Sequence, residues 1–179
     1  MIKRNSKLLV IDATVFQAAG GKKGSNQTSS FCSRFLMEVY VICHRAVLTS
    51  ECNKEWNDHY SHYSIKWKSK MMGARKVDLR HDEEVMNSEL RDTIEKHASS
   101  ESKRIAMLKD AHLIEAALNS DKIVISLDDK AKNNFSEIAG KFRELKSIVW
   151  INPVQEKDKA IQWLEEGAKP YKTWQLGST

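Results

Sequence analysis

Leu8-Leu9-Val10-Ile11 is an unbroken apolar run that stops at an acid, Asp12. A strand with one wet face alternates polar and apolar residues, so such a run belongs in a parallel sheet covered on both faces. Ile123 to Leu127, which stops at Asp128, and Ser147 to Ile151, which stops at Asn152-Pro153, read as two more strands. Ala46 to Thr49 is a fourth, preceded by a helical pattern from Phe31 to Arg45 with Phe35, Val39 and Ile42 on one face. The strand, helix, strand order predicts a parallel crossover and an α/β fold.

Helical spacing recurs from Lys54 to Met72, where Trp56, Tyr60, Tyr63, Trp67 and Met71 form one stripe beside Glu55, His59, His62 and Lys66. It recurs again over 82–97, over 102–118 after the capping serines 99 and 100, and over 155–166 before Gly167. The stretch from Gln17 to Ser30, with Gly20, Gly21 and Gly24, reads as a loop and lacks the ending of a phosphate-binding P-loop. With 179 residues, 41% of them hydrophobic, the chain suits one domain. Residues 1–154 carry the α/β pattern, and 155–179 add a C-terminal helix and tail on the same domain.

Cys32, Cys43 and Cys52 form no C-x-x-C pair, which argues against a zinc ribbon or a disulfide framework and points to a reducing cytoplasm. No apolar run is long enough for a signal peptide or a membrane span, so no membrane partner is expected. The net charge of +5 fits a polyanionic partner only weakly.

Asp12 and Asp128 both end strands, where ligand sites of open α/β sheets lie. Asp110 sits among Ala106, Met107, Leu113, Ile114 and Ala117, so its helix face is core-directed and its carboxylate needs a partner. With Glu55 they make a set of acids of the kind that holds a hard divalent cation. Each also fits an ordinary role: Asp12 as a turn residue, Asp128-Asp129 as a helix cap, Asp110 in a buried ion pair, and Glu55 as a first-turn acid favoured by the helix dipole.

In matching order, Leu9 to Phe16 (LVIDATVF), Ser50 to Trp56 (SECNKEW), Asp110 to Leu118 (DAHLIEAAL) and Ile125 to Lys132 (ISLDDKAK) resemble the motifs of PIN domain nucleases. The resemblance covers about residues 7 to 154. It implies a three-layer α/β/α fold with a central, mostly parallel sheet of four or five strands. By it, Asp12, Glu55, Asp110 and Asp128 form a pocket for Mg²⁺ or Mn²⁺, with Ser126 as the small hydroxyl residue two before Asp128. Glu51 competes with Glu55, which is preferred because it opens the aromatic helix, and Asp129 is the fallback for Asp128.

The implied activity is hydrolysis of RNA, or of single-stranded DNA, leaving 5′-phosphate and 3′-hydroxyl ends. Lys22, Lys23, Lys66 and Lys130, with Lys68, Lys70 and Lys132, are candidate backbone contacts, although each also reads as a solvated surface lysine. The aromatic stripe reads as core or a subunit contact before it reads as a base platform. His59 and His62 offer a mixed site with Glu55 for a transition metal, a lesser reading than a substrate or supporting role; His112 reads as a packed helix residue.

Thr14 stands where a haloacid-dehalogenase-type phosphatase needs its second Asp, and a receiver domain lacks its acidic pair here. The rival from another class is a PIN-fold module that binds nucleic acid or scaffolds without cleaving. Within the nuclease reading, resemblance to the VapC toxins implies a homodimer and an antitoxin partner. The chain is longer than those toxins, and a stand-alone processing or defence enzyme fits equally. The region of Trp163, Tyr171 and Trp174 reads as a packing or dimerisation element.

Overall fold

A computed structural model describes residues 6–20 and 27–178; Lys22 and Lys23 lie outside the described residues. Five strands form one sheet: β1 (Leu8–Ile11), β2 (Arg45–Leu48), β3 (Val77–Leu79), β4 (Ile123–Ile125) and β5 (Val149–Ile151). Their order is β3-β2-β1-β4-β5 and every neighbouring pair is parallel. Leu9, Val10, Ile11, Val124 and Ile125 are fully buried, as their unbroken apolar runs require.

Among the described residues ten α-helices flank the sheet: α1 (Ala13–Ala18), α2 (Gln27–Ile42), α3 (Ser50–Asp58), α4 (His62–Gly73), α5 (Asp82–Val85), α6 (Ser88–His97), α7 (Glu101–Leu118), α8 (Asp129–Ile138), α9 (Pro153–Glu156) and α10 (Asp158–Glu165). One layer gathers α1, α4, α9 and α10 around α2; the other gathers α3, α5, α6 and α8 around α7. The fold is therefore a parallel α/β sheet between helices, with five strands. Among the described residues no helix is long and apolar enough to cross a membrane.

Three helical expectations need correction. The pattern over 54–72 is two helices, because α3 begins earlier, at Ser50 capped by Thr49, and ends at Asp58. Ser61 then starts α4 with a capping box to Ser64. The pattern over 82–97 is also two helices, with Asn87 capping the second. The C-terminal stretch breaks between α9 and α10 at Lys157, whose φ is +50°, while Asn152 caps α9 and Pro153 occupies its first turn. Strand β3 was not expected, since Asp78 interrupts its three residues; Asp78 pairs with Arg45 at 3.1 Å and Arg80 at 2.7 Å.

The aromatic stripe is mostly core. Trp56 donates to Ile11 O at 2.8 Å, Trp67 donates to Leu36 O at 2.6 Å, and both rings pack on Phe16 at 4.2 and 5.3 Å. Tyr60 is the exception, 66% exposed in the α3–α4 junction. Gly20 backs that junction so closely that a Cβ there would lie 1.9 Å from Ser61 Cβ. The C-terminal segment packs on the sheet: Trp163 meets Trp174 edge-on at 5.7 Å, and Gln175 bridges to Val149 of β5.

One buried charge holds the second helical layer. Glu115 of α7 is 2% exposed and receives both forks of Arg91 from α6 at 2.7 and 2.8 Å, plus the Asn87 amide at 2.9 Å. Removing Arg91, itself part-exposed, strands the Glu115 carboxylate in a dry site. Arg91→Met is expected to cost about 3 kcal/mol, a fall of roughly 6–12 °C in Tm. Arg91→Met combined with Glu115→Leu should regain most of that in thermal melts; a double variant no more stable than the single one would show that the pair is not the cause.

Candidate active site

The sheet reverses its order between β1 and β4, so the segments leaving their carboxyl ends diverge and open a crevice. A cavity of about 110 Å³ lies there, and Asp12, Glu55, Asp110 and Asp128 all line it. Four carboxylates from the end of β1, the middle of α3, the middle of α7 and the end of β4 thus meet at one place. Thr14, His59 and Lys109 share its wall.

Asp12 follows β1 directly, and its own amide continues the sheet by donating to Ile125 O at 2.9 Å. Its carboxylate is 7% exposed and makes no capping bond to helix α1. Oδ2 instead accepts from Thr14 Oγ1 at 2.6 Å and Ser126 Oγ at 2.5 Å, which leaves Oδ1 without a donor among the described residues. Fully buried Ser126 also accepts from the Asp128 amide at 3.0 Å. Thr14 Oγ1 accepts from the Leu127 amide at 3.2 Å. Two hydroxyls therefore tie the ends of β1 and β4 together around one carboxylate.

Asp128 caps α8 through Oδ1, which accepts from the Ala131 amide at 2.8 Å. The ordinary capping role thus occupies one of its oxygens while the residue still faces the cavity. Asp129, the fallback, turns away: its carboxylate accepts from Asn152 Nδ2 at 3.2 Å and from Gln155 at 2.5 Å, beside α9.

Asp110 has no ion-pair partner among the described residues, against the buried-pair alternative. Its carboxyl is pushed up to about 6, first by burial and then by the charges of Asp12 and Asp128, with Lys109 and His112 pulling the other way. Asp12 and Asp128 act on Asp110 because all three line the same cavity.

Glu55 stands in the second turn of α3, so the first-turn dipole argument belongs to Glu51 instead. Glu51 is exposed and off the cavity wall; its amide donates to Asp82 Oδ1 at 3.3 Å. The geometry therefore favours Glu55 for a reason other than the expected one, that it opened its helix. His112 Nε2 lies 3.2 Å from Glu55 Oε2, an ion pair not aligned as a hydrogen bond. That neighbour lowers the Glu55 pKa against the opposing effect of burial. Burial disfavours the His112 cation, but Cys52 and Glu55 beside it outweigh that and raise its pKa. His112 is thus the partner of Glu55 as well as a packed helix residue.

His59 reaches the wall as the residue that ends α3, but His62 opens α4 outside it, so the helix break separates the proposed mixed site. Lys66 and Lys130 are exposed and off the wall. Lys68 is held by Asn53 and Asn57 at 2.5 and 3.1 Å. Lys109, exposed on the wall, was missed because it reads as the polar neighbour of Asp110 on an apolar helix.

A carboxyl with a raised folded pKa binds its proton more tightly when folded, so its burden on stability is present above about 6 and is relieved as pH falls toward the unfolded value near 4. Asp110→Asn is therefore expected to raise Tm near pH 7.5, with the gain vanishing near pH 4. A variant no more stable than the unaltered protein at neutral pH would remove the charge-repulsion account.

Comparison of the chain with models of protein families, with curated proteins and with solved structures finds no match.

Proposed function

We propose that this chain is a metal-dependent phosphodiesterase that cleaves RNA internally, a nuclease of the PIN type. The observation that carries the reading is the convergence of Asp12, Glu55, Asp110 and Asp128 on one cavity at the crossing of β1 and β4. A scaffold has no use for four acids in a place where two of them raise the pKa of a third.

The donor set fits Mg²⁺ or Mn²⁺. These are hard cations that prefer carboxylate oxygens, and Asp12 Oδ1 and Asp110 are left free of protein donors among the described residues. Among those residues no three His, Cys, Asp or Glu side chains are grouped so as to hold an ion alone. Mg²⁺ commonly takes one or two carboxylates and keeps water for the rest of its shell. Asp12 and Asp110 would hold the ion directly, with Glu55 and Asp128 acting through its waters. Such an ion lowers the pKa of a bound water and offsets charge growing on the phosphodiester.

The protein's own residues supply the rest. Thr14 and Ser126 fix Asp12 by one oxygen, and His112 keeps Glu55 ionised to accept a proton from the attacking water. Lys109 offers a cation for a non-bridging phosphate oxygen. The resemblance to PIN nucleases implies that cleavage would leave a 5′-phosphate and a 3′-hydroxyl. The competing reading is a module with this fold that binds nucleic acid without cutting it.

Labelled single-stranded RNA and DNA, incubated with Mn²⁺, Mg²⁺ or EDTA, decide between them. Metal-dependent cutting should fall at least about a hundredfold in Asp12→Asn and in Asp110→Asn, and about tenfold in Ser126→Ala, which only orients Asp12. Equal turnover in Asp12→Asn would sink the site; binding of RNA by folded protein with no cutting under any metal would leave the binding module.

A further inference from the structure

Tyr60 is the one member of the aromatic stripe that the fold turns outward. Trp56 and Trp67 are buried, and Tyr63 is tied through its hydroxyl to Ser33 O at 2.6 Å. Tyr60, by contrast, is 66% exposed. Its backbone is held on both sides: the His59 amide donates to Glu55 O at 3.0 Å, and Ser61 caps α4 while resting against Gly20. A large aromatic side chain kept exposed on a pinned backbone has lost part of its freedom before anything binds.

The surroundings of Tyr60 have two halves. A shallow groove of about 20 Å³, room for little more than a water, lies against its ring and is also lined by Phe16, Trp56, Asn57, Ser64, Ile65 and Lys68, so a base would stack on the exposed ring outside it. Lys68 Nζ donates to Asn53 and Asn57. An ammonium has three N–H donors, so one remains for an anion, and burial makes this cation more acidic than an exposed lysine. An aromatic face and a fixed cation in one groove match a nucleotide, the ring for the base and the ammonium for its phosphate. His59, next in the chain to Tyr60, lines the acidic cavity, so the groove adjoins the candidate site.

We infer that the Tyr60 and Lys68 groove is a nucleotide subsite that stacks one unpaired base of a single-stranded substrate and holds its phosphate next to the acidic cavity. This rests on the nuclease reading for its biological setting, but its test does not depend on cleavage. Stacking on an exposed ring tolerates any base, so the subsite confers preference for single strands over duplex rather than for a sequence.

Fluorescence anisotropy of a labelled single-stranded oligonucleotide in EDTA measures the subsite without turnover. Tyr60→Ala should weaken binding about tenfold, and Tyr60→Trp should restore it. An abasic strand of equal length should bind the Ala variant and the unaltered protein alike, which a merely structural loss would not produce. Lys68→Gln should flatten the dependence of log Kd on log salt by about 0.7.

If Tyr60→Ala binds the base-bearing strand as tightly as the unaltered protein, or if no strand binds at all, the subsite is overturned. Metal-dependent cutting that is indifferent to Tyr60 keeps the nuclease and discards the subsite. Binding that depends on Tyr60, with no cutting under any metal, keeps the subsite and discards the nuclease.

Discussion

The pairing of β1 with β4 is the contact on which the site depends. It joins an early strand to one from the second half of the chain, and the Asp12 amide extends that ladder by a bond to Ile125 O. On one side of the pair the sheet runs on to β2 and β3, and on the other to β5. Because the chain leaves the two central strands in opposite directions, no connection covers the gap between them. Had the strands run in sequence order, the crossover after β1 would close that gap.

What holds the crevice in shape is a small polar net. Ser126, with no exposure, and Thr14 both give their hydroxyl protons to a single oxygen of Asp12 and take amide protons from the β4 exit. Those donors hold the Asp12 carboxylate in one orientation. Asp110, lacking them, has its ionisation resisted. The two acids therefore differ in their anchoring: Asp12 is held by two hydroxyls, and Asp110 has no such donor among the described residues.

The central strands were readable because burial on both faces leaves an unbroken apolar run, visible in Leu8 to Ile11 and Ile123 to Ile125. Strand β3 was hidden because an edge strand can place Asp78 between two arginines. The split of the aromatic helix was hidden because the stripe keeps its spacing across the gap; the serine at 61, followed three residues later by Ser64, was the only sign of a new start. Asp12 and Asp128 were legible as strand-end charges and Asp110 as an inward-facing one, whereas Glu55 looked like an ordinary first-turn acid and stood out from Glu51 only through the resemblance. Their helpers were not: Lys109 and the pairing of His112 with Glu55 depend on how α7 is rotated against α3, which no local pattern records. The same holds for Glu115, whose partner Arg91 lies on a different helix.

The hydrogen bond from Ser126 to Asp12 spans 114 residues of chain. Closing so long a loop costs entropy before any contact there repays it, so contacts of this range form late in folding. The β1, α2, β2 half can consolidate from nearer neighbours, while the acidic crevice exists only once β4 has docked. Docking β4 against β1 brings like charges together, and the burial of the apolar strands must outweigh that repulsion. The apolar ladder between β1 and β4 thus carries a charge repulsion that no neighbouring cation among the described residues fully offsets, since Asp110 keeps a raised pKa despite Lys109.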